Sequence, residues 1–223
     1  MVTQRLFGKI VNAETKYEIF EETNSEYTVV LPDNLGTAEC LVPLIVALHF
    51  AGYKPPHYGR LIAEQLVAPA FSTLGAVILA PDCDSGTWAS GSCYKTVIKL
   101  IGQLSDTLPI DPTRIVLTGY SLGGVGTWEM AAHHPELFSA AIIMAGQPRP
   151  EMANVNWKLP LYVIHSRNDE VMPIGKTENI VDRIRQRGGN IVFDVLEDPT
   201  HSEIFKFLGP LSSTQIWLKN CWN

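Results

Sequence analysis

Ser121 is the residue whose neighbours in the sequence best suit covalent chemistry. It stands in the run Gly119-Tyr120-Ser121-Leu122-Gly123, which has the pattern Gly-x-Ser-x-Gly. The apolar residues 115–117 predict a strand before it, and helical spacing begins near Gly124. A serine on a tight strand-to-helix turn, flanked by residues with almost no side chain, presents an exposed hydroxyl. We therefore predict that Ser121 is a nucleophile.

The same turn would provide a place for developing negative charge. The free N–H groups and the dipole at a helix N-terminus favour an anion, so the amide of Leu122 is a predicted oxyanion donor. The alternative explanation of Gly119, Gly123 and Gly124 is close packing of a strand against a helix. A bare Gly-x-Ser-x-Gly match occurs by chance in about one chain in thirteen of this length. The flanking strand and helix therefore carry most of the prediction.

The residues around this turn also resemble those of a known family. The run Asp111-Pro112-Thr113-Arg114 leads into residues 115–126, followed by Trp128, Pro135-Glu136-Leu137-Phe138 and Ala140-Ala141. In this pattern the chain resembles the compact carboxylesterases of the α/β-hydrolase superfamily, which include phospholipase/carboxylesterase-like, polyhydroxybutyrate-depolymerase-like and feruloyl-esterase-like enzymes. The resemblance is strong over residues 111–146 and weaker but ordered over residues 44–205. It implies an α/β-hydrolase fold and cleavage of a carboxylic ester through an acyl-enzyme on Ser121.

The nucleophile needs a base, because a serine hydroxyl reacts poorly at neutral pH. In this fold the order along the chain is serine, acid, histidine. Of the six histidines, only His165 and His201 lie beyond the helix predicted after Ser121. His201 follows the last predicted strand, 191–196, whereas His165 stands at the end of the strand 161–164. We predict that His201 is the base and that His165 is structural.

The base in turn needs a carboxylate that fixes its tautomer. Asp169 lies in the loop after the strand 161–164, and it shortly precedes Val171-Met172-Pro173, as an aspartate precedes Val-x-Pro in the family that the chain resembles. We predict Asp169 as this partner. Glu170 is one residue out of phase, and Asp198, three residues before His201, is the second choice. The structural alternative for Asp169 is an Asx-turn residue in a polar loop.

The loop after the predicted strand 41–48 should supply the second oxyanion donor. Its residues are His49-Phe50-Ala51-Gly52-Tyr53, and Phe50 stands where the resembling family usually has glycine. The donor is Phe50 or Ala51, and we favour Ala51, with His49 as support for the loop. Phe50 and Trp88 are predicted to wall the substrate pocket, and the alternative for Trp88 is a buried packing aromatic.

Short apolar runs alternate with segments of helical spacing along the chain. This alternation is typical of a mostly parallel sheet with helices on both faces, whose ligands bind beyond the carboxyl ends of the strands. We expect one α/β domain over residues 1–223, with little or no lid. The predicted strands are 25–31, 41–48, 76–80, 115–118, 140–144, 161–164 and 191–196, and the predicted helices are 61–74, 94–108, 124–134, 178–187 and 203–222.

Composition argues against several classes of protein. The net charge is −6 without a basic block, so we expect no nucleic-acid partner. Residues 1–9 lack the apolar stretch of a signal peptide, and no window approaches the about 20 apolar residues of a membrane span. The four cysteines form no Cys-x-x-Cys pair. We expect a cytoplasmic protein with free thiols, a Cys83–Cys93 bridge being the alternative, and a small-molecule ester as its partner. The oligomeric state stays open.

No cofactor or metal is expected, and two rival functions remain. His133 and His134 are adjacent, so their side chains would point apart on a helix, and no phosphate loop or dinucleotide fingerprint occurs. The same triad serves esters, thioesters and peptides, so a thioesterase or small peptidase is one rival. A catalytically silent binding protein of this fold is the other. Chloride-displacing and epoxide-opening enzymes of this fold use a carboxylate nucleophile, and dienelactone-type enzymes use cysteine, so Ser121 argues against all three.

Overall fold

The centre of the molecule is a mixed β-sheet, seen in a computed structural model that describes residues 3–5, 10–13, 26–35, 39–52, 56–83 and 86–223. The strands found within these ranges are β1 (Thr3–Arg5), β2 (Ile10–Ala13), β3 (Tyr27–Val30), β4 (Val42–Leu48), β5 (Val77–Pro81), β6 (Ile110–Tyr120), β7 (Ala140–Met144), β8 (Leu161–Ser166) and β9 (Ile191–Leu196). They form one sheet in the order β1-β2-β3-β5-β4-β6-β7-β8-β9. β4 to β9 are mutually parallel, and β1 to β3 pair in antiparallel fashion.

Helices cover both faces of this sheet. They are α1 (Arg60–Ile62), α2 (Ala68–Ala70), α3 (Gly91–Thr107), α4 (Leu122–His133), α5 (Gly175–Gln186) and α6 (Leu208–Cys221), with a π-helical segment, Ala63–Val67, joining α1 to α2. Short 3-10 segments lie at Pro135–Leu137, Pro150–Asn154 and Ile204–Phe207. Within the described ranges, no helix combines the length and apolar character that crossing a membrane requires.

Two apolar layers hold the helices to the sheet. β4 and β7 are buried along their whole length, as expected of central parallel strands covered on both faces. One layer contains Val97 of α3, Trp128 of α4 and Ile180 of α5. The other contains Ile62 and Leu211, from the helices on the opposite face. Burial of apolar side chains on both faces explains why the strands read as nearly unbroken apolar runs.

The predicted mostly parallel sheet is confirmed, and the differences are local. The strands 140–144 and 191–196 have the predicted bounds, whereas β6 extends the prediction of 115–118 in both directions. The last helix starts at Leu208 instead of residue 203, because residues 204–207 form a 3-10 turn. β1 and β2 were not predicted, since these short segments lack a clear apolar alternation. Ser25, the predicted start of the first strand, lies outside the described residues.

The parallel strands direct their following loops to one edge of the sheet. β4 leads to His49, β6 to Ser121, β8 to the segment with Asp169 and β9 to the segment with His201. Carboxyl ends of parallel strands meet at the same edge, so the topology gathers all the predicted site residues there.

Candidate active site

Ser121 occupies a strained turn between β6 and α4. Its backbone has φ 56° and ψ −117°, a region that costs a non-glycine residue about 1–3 kcal/mol. The amide of Ser121 donates to the carbonyl of Met144 (3.0 Å), and its carbonyl accepts from the amide of Val125 (2.9 Å). These bonds hold the turn against both β7 and the first turn of α4.

Both glycines of the motif stand where another side chain would collide. A Cβ on Gly119 would contact the carbonyl of Gly123 and lie 2.8 Å from Thr127 Oγ1. A Cβ on Gly123 would contact the carbonyl of Leu48 and lie 2.8 Å from that of His49. The glycines therefore do allow close packing, as the alternative explanation proposed. This is compatible with Ser121 as a nucleophile, because the same close approach brings α4 against the loop after β4.

Ser121, His201 and Asp169 form one chain of hydrogen bonds. Ser121 Oγ lies 2.7 Å from His201 Nε2, and His201 Nδ1 lies 2.7 Å from Asp169 Oδ2. The side chain of His201 is 11% exposed and that of Asp169 is fully buried. With Nδ1 donating to the carboxylate, Nε2 is free to accept the serine proton. The second-choice acid, Asp198, is exposed, and Asp169 takes the position beside the base.

Asp169 uses its two carboxylate oxygens for different purposes. Oδ1 accepts from the amides of Val171 (3.1 Å) and Met172 (2.7 Å), while Oδ2 faces His201. The Asx-type turn and the position beside the base therefore occur together. Burial acts to raise the pKa of Asp169, but hydrogen bonds from His165, His201 and the Met172 amide outweigh burial and lower that pKa. The carboxylate therefore stays ionised across the pH range in which such an enzyme would work.

His165 lies behind the acid and not beside the serine. It is completely buried, its Nε2 donates to the carbonyl of Met172 (2.7 Å), and the same nitrogen lies 3.4 Å from Asp169 Oδ2. The structural role predicted for it thus takes a definite form: His165 closes the loop of residues 166–172 around the carboxylate. Its position at the end of a strand, four residues before the acid, was the available sequence signal.

The segment that carries His201 has its own internal contacts. Glu203 Oε2 accepts from the amide of Thr200 (2.9 Å) and from its hydroxyl (3.1 Å), and Glu203 Oε1 lies 2.9 Å from Lys206 Nζ. The run Thr-x-x-Glu is the signature of a capping box, so the sequence did contain a sign of this turn.

Two residues that sequence reasoning did not assign contact the backbone of His201. Tyr120 Oη donates to the His201 carbonyl (2.7 Å), and Glu170 Oε2 accepts from the His201 amide (3.0 Å). Glu170 thus lies near the base, but it contacts the backbone amide of His201 and not the imidazole ring. No short motif signals either contact, because each depends on the approach of loops that are far apart in sequence.

The loop after β4 lies on the other side of Ser121. His49 is completely buried, its Nδ1 lies 2.8 Å from the carbonyl of Phe50, and its Nε2 accepts from the amide of Cys83 (3.1 Å). This agrees with the expected supporting role. Ala51 is exposed and its carbonyl accepts from Tyr58 Oη (3.3 Å). Leu122, the other predicted oxyanion donor, is the first residue of α4, where amides lack an intrahelical partner. Tyr53 lies outside the described residues.

The two residues predicted to wall a pocket have different surroundings. Trp88 is only 2% exposed, and its indole N–H donates to the carbonyl of His49 (2.8 Å). This position favours the alternative role of Trp88, in which the ring packs in the core and the indole N–H holds the loop after β4. Phe50 is half-buried, with its ring 5.7 Å from that of Tyr58 and 6.4 Å from that of Tyr120. Of the two residues predicted to wall the pocket, Phe50 is therefore the one that lies near the site and is partly exposed to solvent.

A large cavity is present in the protein, but it lies at the edge of the sheet away from the triad. Among the residues that the structure describes, no group of three or more His, Cys, Asp or Glu side chains could hold a metal ion. A cavity of about 790 Å³ lies at the amino end of β5, lined among others by Leu31, Phe71 and Ile78. Ser121 lies at the opposite edge of the sheet, so this cavity is not part of the candidate active site.

Solved structures of esterases share this architecture. A thermostable esterase superposes with a TM-score of 0.72 at 25% identity, covering 96% of this chain and 60% of that one. An S-formylglutathione hydrolase from Agrobacterium tumefaciens superposes with a TM-score of 0.79 at 13% identity, covering 100% and 99% of the two chains. The α/β-hydrolase fold implied by the sequence is therefore confirmed.

Curated relatives are similar over part of their own length. Feruloyl esterase D of Neurospora crassa is 23% identical over 188 residues, which are 80% of this chain and 64% of the relative. Feruloyl esterase B of Thermothelomyces thermophilus is 26% identical over 133 residues, 56% of this chain and 45% of the relative. Acetylxylan esterase A of Emericella nidulans is 29% identical over 139 residues, 56% of this chain and 43% of the relative. The chain thus spans less than two thirds of each of these proteins.

A family model matches the part of the chain that contains the whole triad. The match is to the dienelactone hydrolase family and covers residues 95–206. Residue 121 is serine, whereas a dienelactone-type enzyme is expected to have cysteine as its nucleophile. The difference concerns one side chain and not the ancestry of the fold: this chain belongs to the dienelactone hydrolase family.

Proposed function

We propose that this protein is a serine hydrolase that cleaves a carboxylic ester through an acyl-enzyme on Ser121. The observation that carries the proposal is the chain of two 2.7 Å contacts from Ser121 to His201 and from His201 to Asp169. A serine on an elbow turn, a histidine on its hydroxyl and a buried ionised carboxylate on the other ring nitrogen are the parts that acyl transfer needs.

The reaction proceeds in two halves. Ser121 Oγ attacks the carbonyl carbon of the ester while His201 Nε2 takes the hydroxyl proton, giving a tetrahedral intermediate. The intermediate collapses, the proton passes from His201 to the departing alcohol, and the acyl group stays on Ser121. A water molecule then attacks the acyl-enzyme while His201 takes its proton; the bond from the acyl carbon to Ser121 Oγ breaks, His201 returns the proton to Oγ, and the acid is released. Asp169 holds the imidazole in the required tautomer and stabilises the imidazolium.

The amides of Leu122 and Ala51 serve as the oxyanion donors in this proposal. Leu122 supplies an amide at the N-terminus of α4, where the helix dipole favours negative charge. The exposure of Ala51 supports its choice, since its amide must be reachable by a substrate. Phe50, with its half-buried ring, is proposed to wall the adjoining pocket.

An ester with an apolar part fits the surroundings of the triad. Val171 and Phe205 are large apolar side chains, 60% and 65% exposed, and they lie two and four residues beyond Asp169 and His201 in the chain. The relatives described above are named feruloyl and acetylxylan esterases, so feruloyl and acetyl esters belong in a first substrate panel. The structure favours neither over the other.

The test is hydrolysis of p-nitrophenyl esters of increasing acyl length, with a feruloyl and an acetyl ester added. Ser121→Ala should lower kcat by about 10⁴-fold or more, because the remaining binding and oxyanion groups give only residual catalysis. The matched control is Ser213→Ala, a serine on α6 whose hydroxyl donates to the Gly209 carbonyl, and it should retain full activity. Turnover that survives in Ser121→Ala would contradict the proposal.

Rival acyl groups and a silent fold are separated by two further assays. Acyl-thioester and peptide substrates, run beside the esters, identify a thioesterase or a small peptidase by the larger kcat/KM. A fluorophosphonate probe labels an activated serine whatever the preferred substrate. If the intact protein neither hydrolyses any substrate nor reacts with the probe, the silent binding protein is the correct function.

We also propose a cytoplasmic location, and the cysteine pair provides a readout for it. Cys83 Sγ and Cys93 Sγ lie 2.6 Å apart in the protein interior. In the cytoplasm thiols stay reduced, whereas so close a pair would be oxidised to a disulfide in an oxidising compartment. In protein recovered from its native source, both cysteines should therefore be in the reduced state, as measured by alkylation and intact mass. A Cys83–Cys93 disulfide in that material would contradict the cytoplasmic location.

A further inference from the structure

The backbone of His201 is held by a side chain at each of its two polar groups. Tyr120 Oη donates to its carbonyl oxygen at 2.7 Å, and Glu170 Oε2 accepts from its amide at 3.0 Å. Tyr120 directly precedes Ser121 in the chain, and Glu170 directly follows Asp169. The base is therefore tied to the segments of both other triad members by contacts that do not involve its own ring.

The Tyr120 contact lies in the protein interior. Tyr120 is 3% exposed, and its ring packs against those of Phe207 (5.0 Å between centroids) and His201 (5.7 Å). Burial, followed by the nearby charge of Asp169, raises the pKa of Tyr120, so the phenol remains a hydrogen-bond donor at every working pH. Since Tyr120 ends β6 and its ring is packed on two sides, its hydroxyl is a fixed point for the His201 carbonyl.

The Glu170 contact lies at the surface and holds the amide of His201, whereas Tyr120 holds its carbonyl. Glu170 is exposed, and it follows an aspartate whose carboxylate is fixed by two backbone amides. Water competes with an exposed carboxylate for the His201 amide, so this contact should contribute less than the buried one.

We infer that Tyr120 and Glu170 are positioning residues that together set the place of the His201 imidazole. His201 follows β9 in a turn, where its ring could move relative to Ser121 by rotation of the backbone. Holding both its carbonyl and its amide removes that freedom, and displacement of a catalytic group by about 1 Å can cost about 100-fold in rate. The inference rests on the serine chemistry proposed above, but it names no particular substrate.

The experiment measures the second-order rate of Ser121 labelling by a fluorophosphonate and the final extent of labelling. Tyr120→Phe keeps the packed ring and removes only the donor, and it should label about tenfold more slowly. Glu170→Ala should label about threefold more slowly, and Glu170→Gln should restore nearly the original rate, because its amide oxygen still accepts from the His201 amide. All variants should reach complete labelling, since the fold and the serine are intact.

Matched controls remove the same groups elsewhere. Tyr162→Phe removes a hydroxyl from β8, where the ring packs on Trp217 (5.2 Å), and Glu151→Gln removes an exposed charge from the 3-10 segment Pro150–Asn154. Both should label at the rate of the intact protein. With a p-nitrophenyl ester, Tyr120→Phe should lower kcat and leave KM nearly unchanged, because the base acts on the reaction and not on substrate binding.

The outcomes separate this inference from the proposed function. Unlabelled intact protein contradicts the proposed function itself. Labelled intact protein with unchanged rates in Tyr120→Phe and Glu170→Ala leaves the function standing and overturns the inference. A lowered final extent of labelling in Tyr120→Phe, with no change in rate for the labelled fraction, also overturns it, because the tyrosine would then support the fold and not the base.

Discussion

The two sides of the candidate site are built in different ways. On the triad side, the functional side chains contact one another directly, with Ser121, His201 and Asp169 joined at 2.7 Å. On the other side, called the oxyanion side after the donors proposed there, the loop that starts at His49 is held by residues that lie far from it in sequence. Trp88 donates to the His49 carbonyl and the Cys83 amide donates to the His49 ring, across separations of 39 and 34 residues.

This difference determines how each side responds to a substitution. A change on the triad side removes a group that takes part in proton transfer. A change on the oxyanion side acts through the position of a loop, and several remote contacts share that task. We therefore expect sharp losses of turnover on the first side and graded losses on the second, apart from the point at which the two sides touch.

Among substitutions outside the triad, Gly123→Ala should have the largest effect, because Gly123 is that point of contact. Its new Cβ would collide with the Leu48 carbonyl at the end of β4, pushing α4 and the His49 loop apart. We expect stability to fall by about 1–3 kcal/mol. We also expect kcat to fall by about 100-fold or more, since the serine and the oxyanion loop move relative to each other. Urea denaturation and ester hydrolysis measure the two losses.

Gly102→Ala is the matched control for that substitution. Gly102 lies within α3, and a Cβ there would meet no atom within 4 Å. The variant should gain about 0.5–1 kcal/mol of stability, because alanine loses less backbone freedom on folding, with kcat unchanged. If Gly123→Ala behaved like Gly102→Ala, the two sides of the site would not depend on this contact.

Trp88→Phe should have the next largest effect and tests the oxyanion side alone. The substitution keeps an aromatic ring in the core but removes the donor to the His49 carbonyl. We expect kcat to fall by about tenfold, less than on loss of an oxyanion donor outright. Stability should fall by about 1–3 kcal/mol, because a buried hydrogen bond between the indole N–H and the His49 carbonyl is removed.

Trp157→Phe separates the loop effect from the stability effect. Trp157 is also buried, and its indole N–H donates to the carbonyl of Met152 (2.9 Å) away from the triad. It should lose a similar amount of stability and keep its kcat. Equal losses of kcat in the two variants would mean that Trp88 has no special bearing on the His49 loop.

The same contrast explains which parts of the fold and of the candidate site could be predicted from the sequence. Apolar runs predicted β4 to β9, and the order serine, acid, histidine predicted the three residues that the fold brings together. These signals are local, or follow from the order of strands. The contacts of Tyr120 and Glu170 with His201, and the burial of Trp88 under His49, depend on the approach of distant segments. Phe50 in place of glycine left the oxyanion loop without its usual motif, so there the sequence offered two candidates.

Glu203→Gln should have the smallest effect and refines the triad side by its pH dependence. Hydrogen bonding from Lys206, and then from the Thr200 amide, lowers the pKa of Glu203 from its ordinary 4.5 to about 2. Because the folded pKa is the lower one, the contribution of Glu203 to stability is complete above about pH 4.5 and is lost as the pH falls towards 2. The Tm of Glu203→Gln should therefore lie slightly below that of the intact protein near neutral pH, and the difference should shrink in acid. At neutral pH kcat should fall by about twofold, as expected for an exposed contact next to the base.

Glu151→Gln is the control without a place in this turn, and its Tm should follow that of the intact protein at every pH. A Tm difference for Glu203→Gln that stayed constant from neutral pH down to pH 2 would show that the ionised carboxylate does not stabilise the turn that carries His201.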